Sequence, residues 1–148
     1  MEGKRVGMDV DFPESLGALI EHPGFMWYES GFENLDFLAK INRRITSDDV
    51  REAMRMVGLS PDLKKHVGKY SLGMKQQLGI AQAVMEKPNI LILDEPMNGL
   101  DEDGVDMIRR LLLDYKQEGR VILLTSHQKE DIEKLCDTVY ILRNGKII

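Results

Sequence analysis

The strongest pattern in the chain is a short unbroken apolar run, Ile90-Leu-Ile-Leu93, that ends abruptly in Asp94-Glu95. Four consecutive branched residues suit a strand covered on both faces, as in the middle of a parallel sheet. Similar runs over residues 17–20, 121–125 and 138–143 predict three further strands. Between them the apolar period lengthens to that of helices. Leu35, Leu38 and Ala39 mark a helix over 32–42, opened by the capping box Ser30-Gly-Phe-Glu33. A second helix spans 47–57 and stops at Gly58. A third, over 73–86, is capped by Ser71 and carries Met74, Leu78, Ala81 and Met85 on one stripe, so it is expected to pack one face down. A fourth, over 102–118, carries Val105, Ile108, Leu112 and Tyr115 and ends at Gly119. A short fifth covers 129–135.

Turn chemistry separates these elements. His22-Pro23-Gly24-Phe25 and Ser60-Pro61-Asp62 must turn, and Asn144-Gly145 is a strong hairpin signal. Residues 1–5 carry no pattern and residues 12–15 read as a loop. Strands alternating with helices predict an α/β fold with a mainly parallel sheet and right-handed crossovers. Residues 22–87 read as a helical subdomain and residues 88–148 as a sheet-forming half. In such a sheet the ligand lies beyond the carboxyl ends of the strands, which places Asp94 and Glu95 on the lip of a site.

Composition narrows the picture only a little. The 148 residues suit one domain, and 43% hydrophobic with 30% charged residues is ordinary for a globular chain. A net charge of −5 argues against a nucleic-acid partner, which favours a basic face, but not against a nucleotide. The lone Cys136 excludes an intramolecular disulfide and fits a reducing cytosol. No apolar run approaches membrane-spanning length, so a membrane connection is expected through a partner.

The candidate chemistry begins at the carboxyl end of the central run. Ile90-Leu-Ile-Leu-Asp-Glu-Pro96 resembles the Walker B strand of the ATP-binding-cassette (ABC) family, and Asn98-Gly-Leu-Asp101 resembles its D-loop. Asp101 also stands where it can cap the following helix. Tyr70-Ser-Leu-Gly-Met-Lys-Gln-Gln77 resembles the ABC signature loop, with Ser71 and Gly73 matching and Leu72 and Met74 departing from the usual glycine and glutamine. A serine hydroxyl and free amides at a helix N-terminus make an anion site. His127, after the third apolar run and Thr125-Ser126, resembles the switch histidine, which binds a phosphate oxygen. Glu21 occupies the place of the family's Q-loop glutamine. Its surroundings, Gly-Ala-Leu-Ile-Glu-His-Pro-Gly-Phe25, resemble exporters that confer bacitracin or lantibiotic resistance.

The resemblance implies a P-loop nucleotide hydrolase core, ATP and Mg2+ as cofactors, a second ATP-binding subunit and a membrane permease as partners, and a place at the inner face of the cell membrane. It assigns Asp94 and Glu21 to magnesium, Glu95 to polarising the attacking water, and His127 to the transferred phosphate. Ser71, Gly73, Glu21 and Asp101 are assigned to nucleotide contacts. The P-loop itself, Gly-x-x-x-x-Gly-Lys-Ser/Thr, does not occur: Gly3-Lys4, Gly68-Lys69 and Gly145-Lys146 are not followed by serine or threonine. The chain therefore reads as a partial ABC ATPase domain, a fragment expected to be inactive alone. The expected function is ATP-driven transport, with export of an antimicrobial peptide or drug. The alternatives are a non-transport ABC protein of the ribosome-associated or repair type, and a catalytically silent interaction module.

Overall fold

Side chains at the helix starts set where most helices begin. In the computed structural model, which describes residues 5, 7–8, 13 and 15–148, helix α1 (Gly31–Asn42) opens on a reciprocal capping box. The Glu33 amide donates to Ser30 Oγ at 3.2 Å, and the Ser30 amide donates to Glu33 Oε2 at 2.9 Å. Helix α2 (Ser47–Met56) uses Thr46 and Asp49 in the same way, a box the expected start at Ser47 did not include. Ser71 caps α3 (Leu72–Val84) by accepting from the Met74 amide, and Asp101 caps α4 (Glu102–Gln117) by accepting from the Gly104 amide. Helix α5 (Lys129–Leu135) has no side-chain cap. Of the patternless start and the 12–15 loop, residues 1–4, 12 and 14 lie outside the described residues.

Strands β1 (Leu16–Leu19), β2 (Ile90–Asp94) and β3 (Val121–Thr125) form a parallel sheet in that order, so the Asp94 strand is central as expected. The register pairs Leu19 with Leu93 and Leu93 with Leu124, and these three share one face. Helix α3 lies against β1 so closely that a Cβ on Gly17 would stand 2.0 Å from the Ala83 carbonyl oxygen. Leu19, Leu91 and Leu93 on this face are buried with Leu78, Ile80, Ile108 and Leu112 of α3 and α4.

Two expectations about burial fail. The central run is fully covered on one face only: Leu91 and Leu93 are buried, whereas Ile90 and Ile92 alternate with them at intermediate exposure. On the neighbouring β3, Val121 and Leu123 are 62% and 59% exposed, because among the described residues no helix lies over that side. Helix α3, by contrast, is covered on more than one side. It packs between α2 and β1, so Gln76, Gly79 and Ala83 are buried along with Leu78, Ala81 and Met85 of its expected stripe, while Met74 is half-buried.

The strand expected over 138–143 also differs. Residues 138–141 form no strand, and only β4 (Leu142–Arg143) pairs, antiparallel, with β5 (Lys146–Ile147). The turn between them places Asn144 and Gly145 at φ 51° and 74°, the positive values a two-residue hairpin requires. This hairpin does not join the main sheet. With no sheet edge beside them, Val139, Tyr140 and Ile141 remain more than half exposed, and their apolar pattern produces no ladder.

Candidate functional site

The carboxyl ends of β2 and β3 bring the expected residues Asp94, Glu95 and His127 together, with Thr125 between them. Asp94 and Thr125 are register partners on adjacent strands. The Thr125 hydroxyl donates to Asp94 Oδ1 at 2.6 Å and accepts from the Glu95 amide at 3.0 Å. One hydroxyl therefore ties both acids to the neighbouring strand. Beyond it, His127 Nδ1 stands 2.9 Å from Glu95 Oε2.

Glu95 is the turning point of the chain here. Its φ is 47°, a left-handed value that a non-glycine residue adopts at a cost of about 1–3 kcal/mol unless its surroundings impose it. From behind, Gln76 Nε2 on α3 donates to the carbonyl oxygens of Glu95 and Pro96, each at 3.1 Å. The Asn98 amide also donates to the Glu95 carbonyl, closing the turn.

Ser71 and Gly73 lie at the N-terminus of α3, with Ser71 exposed. A Cβ on Gly73 would come 2.8 Å from the Gly99 carbonyl oxygen, so the signature-like loop packs tightly on the D-loop-like turn of its own chain. Asp101 spends its Oδ1 on the Gly104 amide. Glu21 follows β1 at the same end of the sheet, exposed and with φ 55°. The structure thus puts Glu95 in contact with His127, links Asp94 to Glu95 through the Thr125 hydroxyl, and places Ser71, Gly73 and Asp101 on a second, adjoining ridge.

Sequence reasoning missed three side chains that shape this site. Thr125 and Gln76 are the side chains that bond to Glu95's own backbone, and only the cross-strand and helix-to-turn contacts identify them. Arg109, also missed, reaches from α4 to Asp131 at the start of α5. That bond raises the Arg109 pKa above its ordinary value despite burial. Ser126, next to His127, donates to the other Asp131 oxygen at 3.3 Å. Hydrogen bonding by Lys134, aided by the charge of Arg109, holds the Glu130 carboxyl below its usual range.

Among the described residues no three histidines, cysteines or acids converge to hold a metal by themselves. A single carboxylate such as that of Asp94 is the kind of ligand magnesium takes together with waters and substrate phosphates. Asp94 Oδ1 is engaged by Thr125, leaving Oδ2 as the free oxygen donor.

Comparison with known proteins gives one consistent answer. Residues 4–98 match the family model described as ABC transporter. The ABC transporter ATP-binding protein YybJ of Bacillus subtilis is 42% identical over 99% of this chain and 67% of its own length. The bacitracin transport ATP-binding protein BcrA of Enterococcus faecalis is 42% identical over 90% of this chain, which spans 44% of that relative. The fold matches a dimeric structure of the ATP-binding cassette MJ0796 bound to ADP and Pi, with a TM-score of 0.72 and 18% identity, over 81% of this chain and 55% of that one.

Proposed function

This chain belongs to the ABC transporter family, and we propose that it contributes the Walker B, signature and switch-histidine parts of an ATP-hydrolysing transport subunit. The observation that carries this reading is the convergence of Asp94, Glu95, Thr125 and His127 at the carboxyl end of a parallel sheet. In this reading residues 22–87 are the helical subdomain and residues 88–148 the Walker B half.

Each residue has a defined task. Asp94 would hold magnesium through Oδ2 or a water on it, with Glu21 as a second oxygen donor. Bound magnesium neutralises charge on the phosphates. Glu95 takes the proton of the attacking water as its oxygen bonds to the γ-phosphorus and the bond to ADP breaks. His127 steadies Glu95 and offers its other ring nitrogen to the transferred phosphate. Phosphoryl transfer asks little more of a protein than such positioning and charge neutralisation. Ser71 and Gly73 present the N-terminus of α3, beside Asp101, to a nucleotide held by a second ATP-binding subunit.

These 148 residues contain no Gly-x-x-x-x-Gly-Lys-Ser/Thr. Taken alone, the chain offers an ATP molecule acids but no cradle of loop amides and lysine, so it binds no magnesium-ATP. Function requires an assembly that supplies the P-loop. The work proposed is export of an antimicrobial peptide or drug, through a permease at the inner face of the membrane; a relative named for bacitracin transport supports the substrate class. No described helix is long and apolar enough to cross a membrane.

The test is Glu95→Gln in the P-loop-containing assembly. It keeps the shape and the hydrogen bonding but removes the base. ATP should still bind while turnover falls by about two to four decades, the usual worth of general-base help. Turnover near normal in that variant would remove Glu95 from its role.

A further inference from the structure

Glu95 holds an uncommon backbone conformation, and side chains from two separate elements bond to that backbone on either side of its Cα. Its N–H donates to Thr125 Oγ1 at 3.0 Å, and its C=O accepts from Gln76 Nε2 at 3.1 Å. Gln76 is buried in α3, five residues after Ser71, and Thr125 closes β3, two residues before His127. The Asn98 amide closes the turn on the same carbonyl, and the two side-chain bonds tie that turn to the neighbouring strand and helix; glutamate's own chemistry does not favour φ 47°, since it lacks the freedom of glycine there.

We propose that Gln76 and Thr125 are positioning residues that together impose the left-handed turn at Glu95 and so aim its carboxylate at His127. Thr125 fixes the amide side and, through the same hydroxyl, the rotamer of Asp94. Gln76 fixes the carbonyl side and the following Pro96 carbonyl, which stops the turn from relaxing to an ordinary negative φ. The helix that begins at Ser71 and the strand that leads to His127 are thereby joined through the backbone of one acid. A shift of α3 against the sheet would move the Glu95 carboxylate directly. The proposal rests on the reading of Glu95 as the acid that matters, but its geometry can be tested without turnover.

The probe is the tautomer of His127, read from the ring nitrogen resonances of the 15N-labelled 148-residue chain at alkaline pH. A carboxylate oxygen 2.9 Å from Nδ1 favours the proton on that nitrogen. The unsubstituted chain should show Nδ1 protonated. Gln76→Leu combined with Thr125→Val should release Glu95 and shift the major signal to the Nε2-protonated form, while Thr125→Ser should preserve the original pattern. Should the double variant fail to fold, as judged by its backbone amide spectrum, Gln76→Leu alone provides the same comparison. Retention of the Nδ1-protonated pattern in a folded double variant, or in folded Gln76→Leu, would overturn the proposal, and so would its loss in Thr125→Ser. If the tautomer shifts as expected while Glu95→Gln turns over normally in the assembly, the positioning is right and the base assignment is wrong.

Discussion

Arg109 on α4 and Asp131 on α5 form a buried ion pair, with Nη2 and Nε of the arginine 2.6 Å and 2.8 Å from the same carboxylate oxygen. Asp131 is 1% exposed, and its second oxygen accepts from Ser126, so the pair anchors the segment that carries His127. Removing Asp131 leaves the buried Arg109 guanidinium only its exposed partners Glu130 and Asp106, 3.3 Å and 3.6 Å away. Asp131→Asn should therefore destabilise the chain in urea unfolding by less than the about 3–5 kcal/mol of a fully orphaned buried charge, and replacing both residues by apolar ones of similar size should cost less still. Equal losses in the two variants would mean that packing, and not the weakened guanidinium pairing, sets the penalty.

Acid should weaken the helical layer. Hydrogen bonds from the Ser30 side chain and amide hold the Glu33 carboxyl below its ordinary 4.5, and those from the Thr46 amide and hydroxyl hold Asp49 below 3.8. At Asp36 burial alone would raise the value, but bonds from Lys40 and Ser47 outweigh it and bring it below 3.8. Each group binds its proton less readily folded than unfolded, so the unfolded chain takes up more protons as the pH drops. The stability they contribute is complete above those ordinary values and is lost as the pH falls through the lower folded ones. Urea midpoints measured from neutral pH to about pH 3 should stay level and then decline in the acid range. Glu33→Gln with Asp49→Asn should lower the plateau and shallow the decline.

The two faces of the sheet should respond differently to the same truncation. Leu91 is fully buried against the helices, and Leu91→Ala should destabilise the chain by about 2–5 kcal/mol. Leu123, on the other face of the adjacent strand, is 59% exposed, and Leu123→Ala should change stability by no more than about 0.5 kcal/mol. Comparable losses would show that both faces are covered in solution.

Ser71 is exposed at a helix N-terminus and, in the proposed function, acts on a nucleotide held by another subunit. Glutamate there would set negative charge against that nucleotide and offset a helix-terminus field worth about 0.3–1 kcal/mol at exposed sites. In the P-loop-containing assembly with Glu95→Gln, Ser71→Glu should abolish ATP-dependent dimerisation while leaving nucleotide binding nearly intact. Light scattering beside a nucleotide titration reads both. Dimers that persist would disprove the signature assignment, and lost binding would place Ser71 in its own subunit's site.

Much of this molecule is legible locally. The unbroken Ile90–Leu93 run, the Ser30-Gly-Phe-Glu33 box and the Asn144-Gly145 turn each act through near neighbours, so their elements follow from sequence alone. The pairing of Asp94, Glu95 and His127 was legible for a different reason. The resemblance to the Walker B strand and switch histidine pointed to these residues, and the adjacency of β2 and β3 puts them at one edge. What tertiary structure decided was contact across elements. Thr125 reads as one more β-branched strand residue and Gln76 as a polar residue mid-helix. Only the register of β3 on β2, and the seat of α3 between α2 and β1, put them on the amide and carbonyl of Glu95. Burial was decided the same way. Leu91 and Leu123 are the same residue type in equivalent strands, and only the placement of α3 and α4 on one face of the sheet buries the first and exposes the second.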